Sequence, residues 1–382
     1  MIARAGIVLA VLQFAFALSW VVYAALLPAL AAQAGVDASV VPWVLLADQA
    51  IFLVCDWLAG VFADRIGDAV VRLGRVIAVV ALVSCAAFVA LPLVAPRGST
   101  PALAGLMLVW SASSSMLRAP PLALAGRFAS RPSRATLAGL YALGLGAAGA
   151  AAPYVGRMVL AVDPRIAFGV SSAVVAAIAI VVAALPHVNA GVRTSREPGQ
   201  PRSLAAFGAA VAALAIGLQV NGSIASGALY ARFAAADQLA DLAPVFWIGA
   251  AAAALPAAAL IRRVGGLVVM AGAAVVGAAA LGIAVLGESL AVVVAGQAVG
   301  GLGWGVAASG AFAAATSLDR RPGAATGLVF SVLAAATLAR MAFAASGAAA
   351  VPGVAAVMPL VPPVAWAIGA MIAGVLAVGR RD

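Results

Sequence analysis

The sequence predicts an all-α membrane protein whose twelve transmembrane helices form two six-helix bundles. Three observations predict it. Of 382 residues 66% are hydrophobic and only 9% charged, where a soluble domain carries about 25% charged residues. The apolar residues gather into twelve segments near the ~20 residues that cross a bilayer as helix. One extended polar stretch, His187 to Arg202, then divides the chain into parts of 186 and 180 residues. Its Gly, Pro, Arg and Ser content reads as a flexible linker. The expected domains are therefore residues 1–186, a linker over 187–202, and residues 203–382.

In order, the first six spans are Gly6–Leu30, Val40–Ala63, Val76–Val94, Pro101–Gly126, Ala135–Gly156 and Ile166–Leu185. After the linker come Ser203–Tyr230, Leu242–Ile261, Leu267–Leu286, Leu290–Thr316, Ala324–Ala349 and Pro359–Val378. The basic start and the small residues Ala29 to Ala34 imitate a cleaved leader. However, the apolar run from Gly6 to Leu30 exceeds the roughly 7–15 residues of a leader core, so it reads as a retained span. Periodicity adds little, because nearly every position is Ala, Val, Leu or Gly.

Charge sets the topology. All 22 basic residues are Arg. With twelve spans, 16 of them fall in the two tails and the alternate loops, 4 in the other loops, and 2 inside spans. The positive-inside bias then places both termini in the cytoplasm, in a bacterial inner membrane. The net charge of +10 is spread in small groups between apolar runs, which excludes a nucleic-acid surface. Cys55 and Cys85 both lie inside apolar runs and read as small hydrophobes, so no disulfide framework is expected.

The densest charge near the start is the turn GVFADRIGDAVVRLGR, Gly60 to Arg75. It resembles the signature of the major facilitator superfamily, a Gly and an Asp-Arg pair before a second Gly and later basic residues. Here these are Gly60, Asp64, Arg65, Gly67, Arg72 and Arg75, with Asp68 and Ala69 displacing the usual basic positions. A shorter match in span 5, Gly149, Pro153 and Gly156, resembles a motif of proton-driven exporters, with Ala152 in place of a Gly. The turn Arg262 to Gly266 sits six spans further on and echoes the first. The resemblance implies two bundles around a central cavity that open alternately to each side. Spans 1, 4, 7 and 10 would line it, and spans 2, 5, 8 and 11 would join the bundles. Asp64 would rest against the start of span 11, where a helix N-terminus favours a carboxylate.

Four ionisable residues fall inside spans: Asp48, Asp56, Arg118 and Arg340. Such residues normally face the interior and pair. At ~1.5 Å per residue, Asp56 and Arg118 lie at matched depth about 12 Å from the Arg-rich face, and Asp48 and Arg340 at about 24 Å. The expected pairs are Asp56–Arg118 within the first bundle and Asp48–Arg340 between bundles, the second as an outer gate. Static helix glue is the competing reading for both. Burial and a positive partner act oppositely on a carboxylate's proton affinity. Motion that parts such a pair is therefore the simplest proton-coupling device the sequence offers.

Other polar residues concentrate on spans 1, 4, 7 and 10, and spans 3, 6, 9 and 12 are nearly bare of them. The expected cavity residues are Gln13, Trp20, Tyr23, Ser114, Gln219, Asn221, Gln297 and Trp304. Trp43, Trp57 and Trp366 read as interface or packing aromatics. The Gly-rich run Gly300 to Gly305 lies within a span and reads as helix packing, because no strand precedes it. With a single His at the linker edge and no Cys/His cluster, no hydrolase or metal site is expected, and no cofactor. The expected function is secondary transport of a small molecule by a monomer in the lipid bilayer, coupled to protons and leaning to efflux of amphipathic compounds. The alternative is a carrier for small organic anions using Arg118 or Arg340. An Arg facing the cavity without a carboxylate would favour the anion carrier.

Overall fold

The computed structural model describes residues 2–65, 70–184, 204–317 and 322–379. Gly67 and the 187–202 linker lie outside these residues, as does the side chain of Arg72. Among the described residues there are twelve helices long and apolar enough to cross a membrane. Spans 1 to 6 are Arg4–Gln33, Ala38–Arg65, Gly74–Arg97, Thr100–Ala123, Pro132–Val159 and Pro164–Val182. Spans 7 to 12 are Leu204–Tyr230, Leu239–Val264, Gly266–Leu286, Leu290–Ala315, Pro322–Ala345 and Pro352–Val378. Most boundaries fall within a turn of those the sequence predicts. The exception is span 12, which begins at Pro352 and passes through a tight turn at Met358–Leu360 before its main helix.

Local chemistry explains the joints. Asp37 opens span 2: its carboxylate accepts the Ser39 N–H at 2.8 Å, and contact with Ser39 holds it below the usual carboxylate range. Spans 8 and 9 are joined by Gly265 alone, at φ 89, a conformation only glycine adopts freely. Span 4 breaks midway. Its first helix ends at Ser114, a tight turn covers Ser115–Leu117, and a second helix runs from Ala119 to Phe128. Pro120 and Pro121 cause the break, because neither offers an N–H to the carbonyls four residues earlier. Span 7 also departs from α-helix, with one wide π turn at Asn221–Ala225.

The packing repeats at an interval of six spans. Span 1 packs on spans 5 and 6, and span 7 on spans 11 and 12. Span 3 packs on spans 4 and 6, and span 9 on spans 10 and 12. Spans 2 and 4 meet, as do spans 8 and 10. This is the pattern of two pseudo-symmetric six-helix bundles. Between bundles span 2 packs on span 11 and span 5 on span 8, again equivalent pairs. Small residues let the backbones close. A Cβ on Gly60 would strike the carbonyl oxygen of Gly323, and one on Gly146 would stand 2.9 Å from the Ala251 nitrogen.

The core is not shared evenly. One cluster unites both bundles, and its first-bundle members lie toward the Arg-rich face, where span 1 begins and span 12 ends. It contains Leu122 and Tyr141 from the first bundle and Phe312 and Phe330 from the second. Tyr141 stands edge-on to both rings, with centroids 5.0 and 5.8 Å away. Toward the opposite face the bundles keep separate cores, one around Tyr23, Phe88 and Trp110, the other around Leu229 and Tyr230. The bundles are thus sealed together at the Arg-rich face.

Candidate functional site

The seal is completed by the span-2 turn. Asp64 lies where span 2 meets the first turn of span 11. Its two carboxylate oxygens accept the N–H groups of Gly323 at 2.9 Å and Ala324 at 2.7 Å. These are helix-start donors that lack partners within their own helix. The contact needs Gly60 and Gly323 to be bare, since either Cβ would collide with the other residue's carbonyl. Arg65 is exposed at the end of span 2.

Asp56 and Arg118 form the expected pair inside the first bundle, with Arg118 Nη1 3.2 Å from Asp56 Oδ2. Asp56 is wholly buried. The guanidinium also lies over the Phe52 ring, 4.0 Å from its centroid. Arg118 sits at the break in span 4, in a non-helical conformation, so the break aims its side chain at span 2. The loosened backbone is satisfied from neighbouring spans. Gln13 Nε2 donates to the Leu117 carbonyl at 2.6 Å, and Tyr141 Oη to the Arg118 carbonyl at 3.0 Å. Leu117 is the residue whose normal helical donor would be Pro121.

The expected Asp48–Arg340 pair is not formed, and this corrects the sequence reading. Asp48 is buried and accepts from Tyr23 Oη at 2.7 Å and from Ser111 Oγ at 2.6 Å. Arg340 Nε donates instead to Gln219 Oε1 at 3.1 Å. Among the described residues Arg340 has no ion pair. Depth was matched, but azimuth was not. Span 2 meets span 11 at Gly60, and Asp48 lies twelve residues away, about 120° around the helix. Arg340 lies thirteen residues from Gly327, the position of span 11 that meets span 2, about 140° around. Each side chain therefore turns into its own bundle. The ion pair that does link the bundles toward the opposite face joins Arg157 to Asp241 at 3.5 Å, with both side chains more than half exposed.

The remaining cavity candidates separate into two groups. Gln13, Tyr23 and Ser114 are fully buried within the first bundle, Ser114 bonded to the Ser111 carbonyl of its own helix. Trp20 packs on the core around Tyr23 and Trp110, and Trp304 stacks on Trp366 with centroids 6.0 Å apart. Trp366 is buried and donates to the Leu214 carbonyl, so it is a packing residue. Asn221 and Gln297 form a reciprocal amide pair, at 2.9 and 3.0 Å, across spans 7 and 10. That pair lines a cavity of about 150 Å³ between the bundles. Its other walls include Gly149 and Pro153 of span 5, which the sequence reading singled out only as part of the span-5 match, and Tyr230 of span 7 and Trp247 of span 8, which it did not select. Tyr230 and Trp247 sit near span ends, where aromatics are usual at the membrane interface, so no sequence signal distinguished them. No group of three or more potential metal-ligating side chains occurs among the described residues.

Comparison with known proteins adds the following. The model of the Major Facilitator Superfamily matches residues 9–339. Among curated proteins none matches this sequence. A bacterial homologue of the iron transporter ferroportin, solved in an outward-facing state, is similar with TM-score 0.70 and 15% identity over 100% of both chains. The transporter FucP in its outward conformation gives TM-score 0.66 and 13% identity, over 96% of this chain and 97% of that one. The human organic anion transporter MFSD10 gives 0.62 and 14%, over 98% and 99%.

Proposed function

The chain belongs to the Major Facilitator Superfamily, and from that premise we propose that it is a secondary transporter of small organic anions, with Arg340 as the counter-charge for the substrate. Members of the family are multi-pass membrane transporters, and the twelve spans fit that class. One observation carries the choice of anion. Arg340 holds a part-buried guanidinium in the outer part of span 11, bonded through Nε to the neutral Gln219 and to no carboxylate among the described residues. A cation inside a membrane span without a counter-ion is costly. A carboxylate-bearing substrate would supply the missing charge. Arg118, by contrast, already has Asp56.

Proton coupling has its own candidate in Asp48, whose hydrogen-bond partners among the described residues are two hydroxyls and no base. Its protonation would change the charge of the first bundle without breaking an ion pair. On this reading the Arg-rich face lies in the cytoplasm of a bacterial cell, the protein works as a monomer, and the bundles rock about the contacts of span 2 with span 11 and of span 5 with span 8. Efflux of uncharged or cationic amphipathic compounds is the second reading, favoured by the apolar and aromatic walls of the cavity.

Proteoliposome flux decides between them. Labelled benzoate should be carried, faster with an imposed pH gradient. Arg340→Gln should abolish the flux and Arg340→Lys keep part of it. Asp48→Asn should remove the response to the gradient and leave exchange intact. If benzoate neither moves nor shifts thermal stability while a cationic drug does both, the anion reading fails.

A further inference from the structure

We propose that the first bundle carries a built-in hydration site, a cavity for one water molecule between spans 1, 3, 4 and 6, held by the hydroxyls of Ser19, Ser84 and Ser172. The site lies inside one bundle, apart from the cavity between the bundles. It does not depend on which substrate the protein carries.

Size sets the occupant. The cavity measures about 10 Å³, by that measure the room that one water takes. It lies deep in the bundle, and its wall includes the buried side chains of Phe16, Phe88, Trp110 and Leu117. A wholly apolar cavity in such a setting stays dry. This one is also lined by Ser19, Ser84 and Ser172, each no more than 5% exposed.

Donors and acceptors set the orientation. A serine inside a span can satisfy its hydroxyl on the carbonyl three or four residues earlier. Ser19 does so on Ala15 at 2.9 Å, and Ser309 on Gly305 at 2.7 Å. Ser84 does not: its hydroxyl makes no hydrogen bond among the described residues, and its oxygen opens onto the cavity rather than into packed carbon. Ser19 Oγ also meets Ser171 Oγ at 2.7 Å, and Ser172 Oγ donates to the Cys85 carbonyl at 3.2 Å. Ser19 and Ser172 have thus used their single hydrogens and keep a free lone pair, whereas Ser84 keeps its hydrogen. A water that accepts from Ser84 and donates to Ser19 and Ser172 makes three hydrogen bonds, the usual number for a buried water.

The site completes a polar triangle. Ser19 with Ser171 ties span 1 to span 6, and Ser172 with Cys85 ties span 6 to span 3. No direct side-chain hydrogen bond ties span 3 to span 1 among the described residues, and the water supplies that link. Trp110 on the cavity wall packs against Tyr23, with centroids 4.5 Å apart, and Tyr23 donates to Asp48. The water therefore lies one ring away from the buried acid and steadies the wall on which the acid's partner rests.

The test is X-ray radiolytic hydroxyl labelling of the full-length protein in nanodiscs, read by mass spectrometry. The radicals form from water where it lies, so a buried ring is labelled when a water lies beside it. Phe88 on the cavity wall and Phe207 in the core of the second bundle are the matched pair, neither more than 2% exposed. Phe88 should be labelled several-fold faster than Phe207. Ser84→Val fills the space and removes the donor, and should bring Phe88 down to the rate of Phe207. Ser84→Ala should lower the thermal unfolding midpoint by roughly 2 °C, the effect of one lost hydrogen bond. In a dry cavity the same change would remove an unpaired hydroxyl and raise the midpoint. Equal labelling of Phe88 and Phe207 in the parent protein overturns the site, and so does a raised midpoint in Ser84→Ala. If Ser84→Val does not fold, these two measurements decide. Phe88 labelling that persists in a folded Ser84→Val overturns Ser84 as the anchor.

Discussion

Replacing Asp64 by Asn should open the Arg-rich face. The carboxylate receives two backbone N–H groups of span 11, at 2.9 and 2.7 Å. Hydrogen bonds to a charged group contribute about 1.5–3 kcal/mol each, and a charge at a helix start adds roughly 0.3–1 kcal/mol. Asn keeps one acceptor oxygen, turns a donor toward the second N–H, and carries no charge. The closed arrangement should therefore lose about 3 kcal/mol, which shifts its equilibrium with the open one by roughly 150-fold. The measurement is a distance distribution between spin labels at Arg65→Cys and Ser317→Cys, both exposed near this face, with Cys55 and Cys85 replaced by Ser. The parent should give one short distance, and the Asn variant a second, longer population that dominates. If the two distributions coincide, the carboxylate is not what holds the bundles together here, and the argument from helix-start donors is wrong.

Two other outcomes follow from the first bundle. Gln13→Leu should lower stability by about 1–3 kcal/mol, because the Leu117 carbonyl cannot recover a helical donor from Pro121; thermal unfolding in detergent checks it, and an unchanged midpoint refutes it. Asp56→Leu and Arg118→Leu should each destabilise by about 3–5 kcal/mol, and the double variant by less than either; strictly additive losses in the same assay would show that the two charges do not compensate one another.

Hydropathy made the twelve spans legible, and the Gly and Asp positions of the 60–67 turn made its docking on span 11 legible. Depth was legible too, since residue count converts directly to rise along a helix. Rotation was the missing coordinate. Counting at 100° per residue from Gly60 would have turned Asp48 away from span 11, and the same count from Gly327 would have turned Arg340 away from span 2. The prolines at 120 and 121 were visible, but their consequence needed a partner 104 residues distant, Gln13. Gln13 and Tyr23 were placed in the cavity because polar side chains in a span suggest water. In the structure they serve backbone and carboxylate groups inside one bundle. The wide turn in span 7 left no trace in a run of small residues.

That turn carries one residue more than an α-helix needs between the same two ends. The extra residue is taken up by the widening, so Ser226 and Tyr230 beyond it keep the facing of an uninterrupted helix. Loss of a single residue between positions 221 and 225 would narrow the turn to an ordinary α-helical one between the same two ends, changing the backbone that lines the cavity between the bundles at Gly222 while the outer segment stayed in place. A chain of this design can thus reshape one wall through a change of length, with the packing on either side of it left as it was.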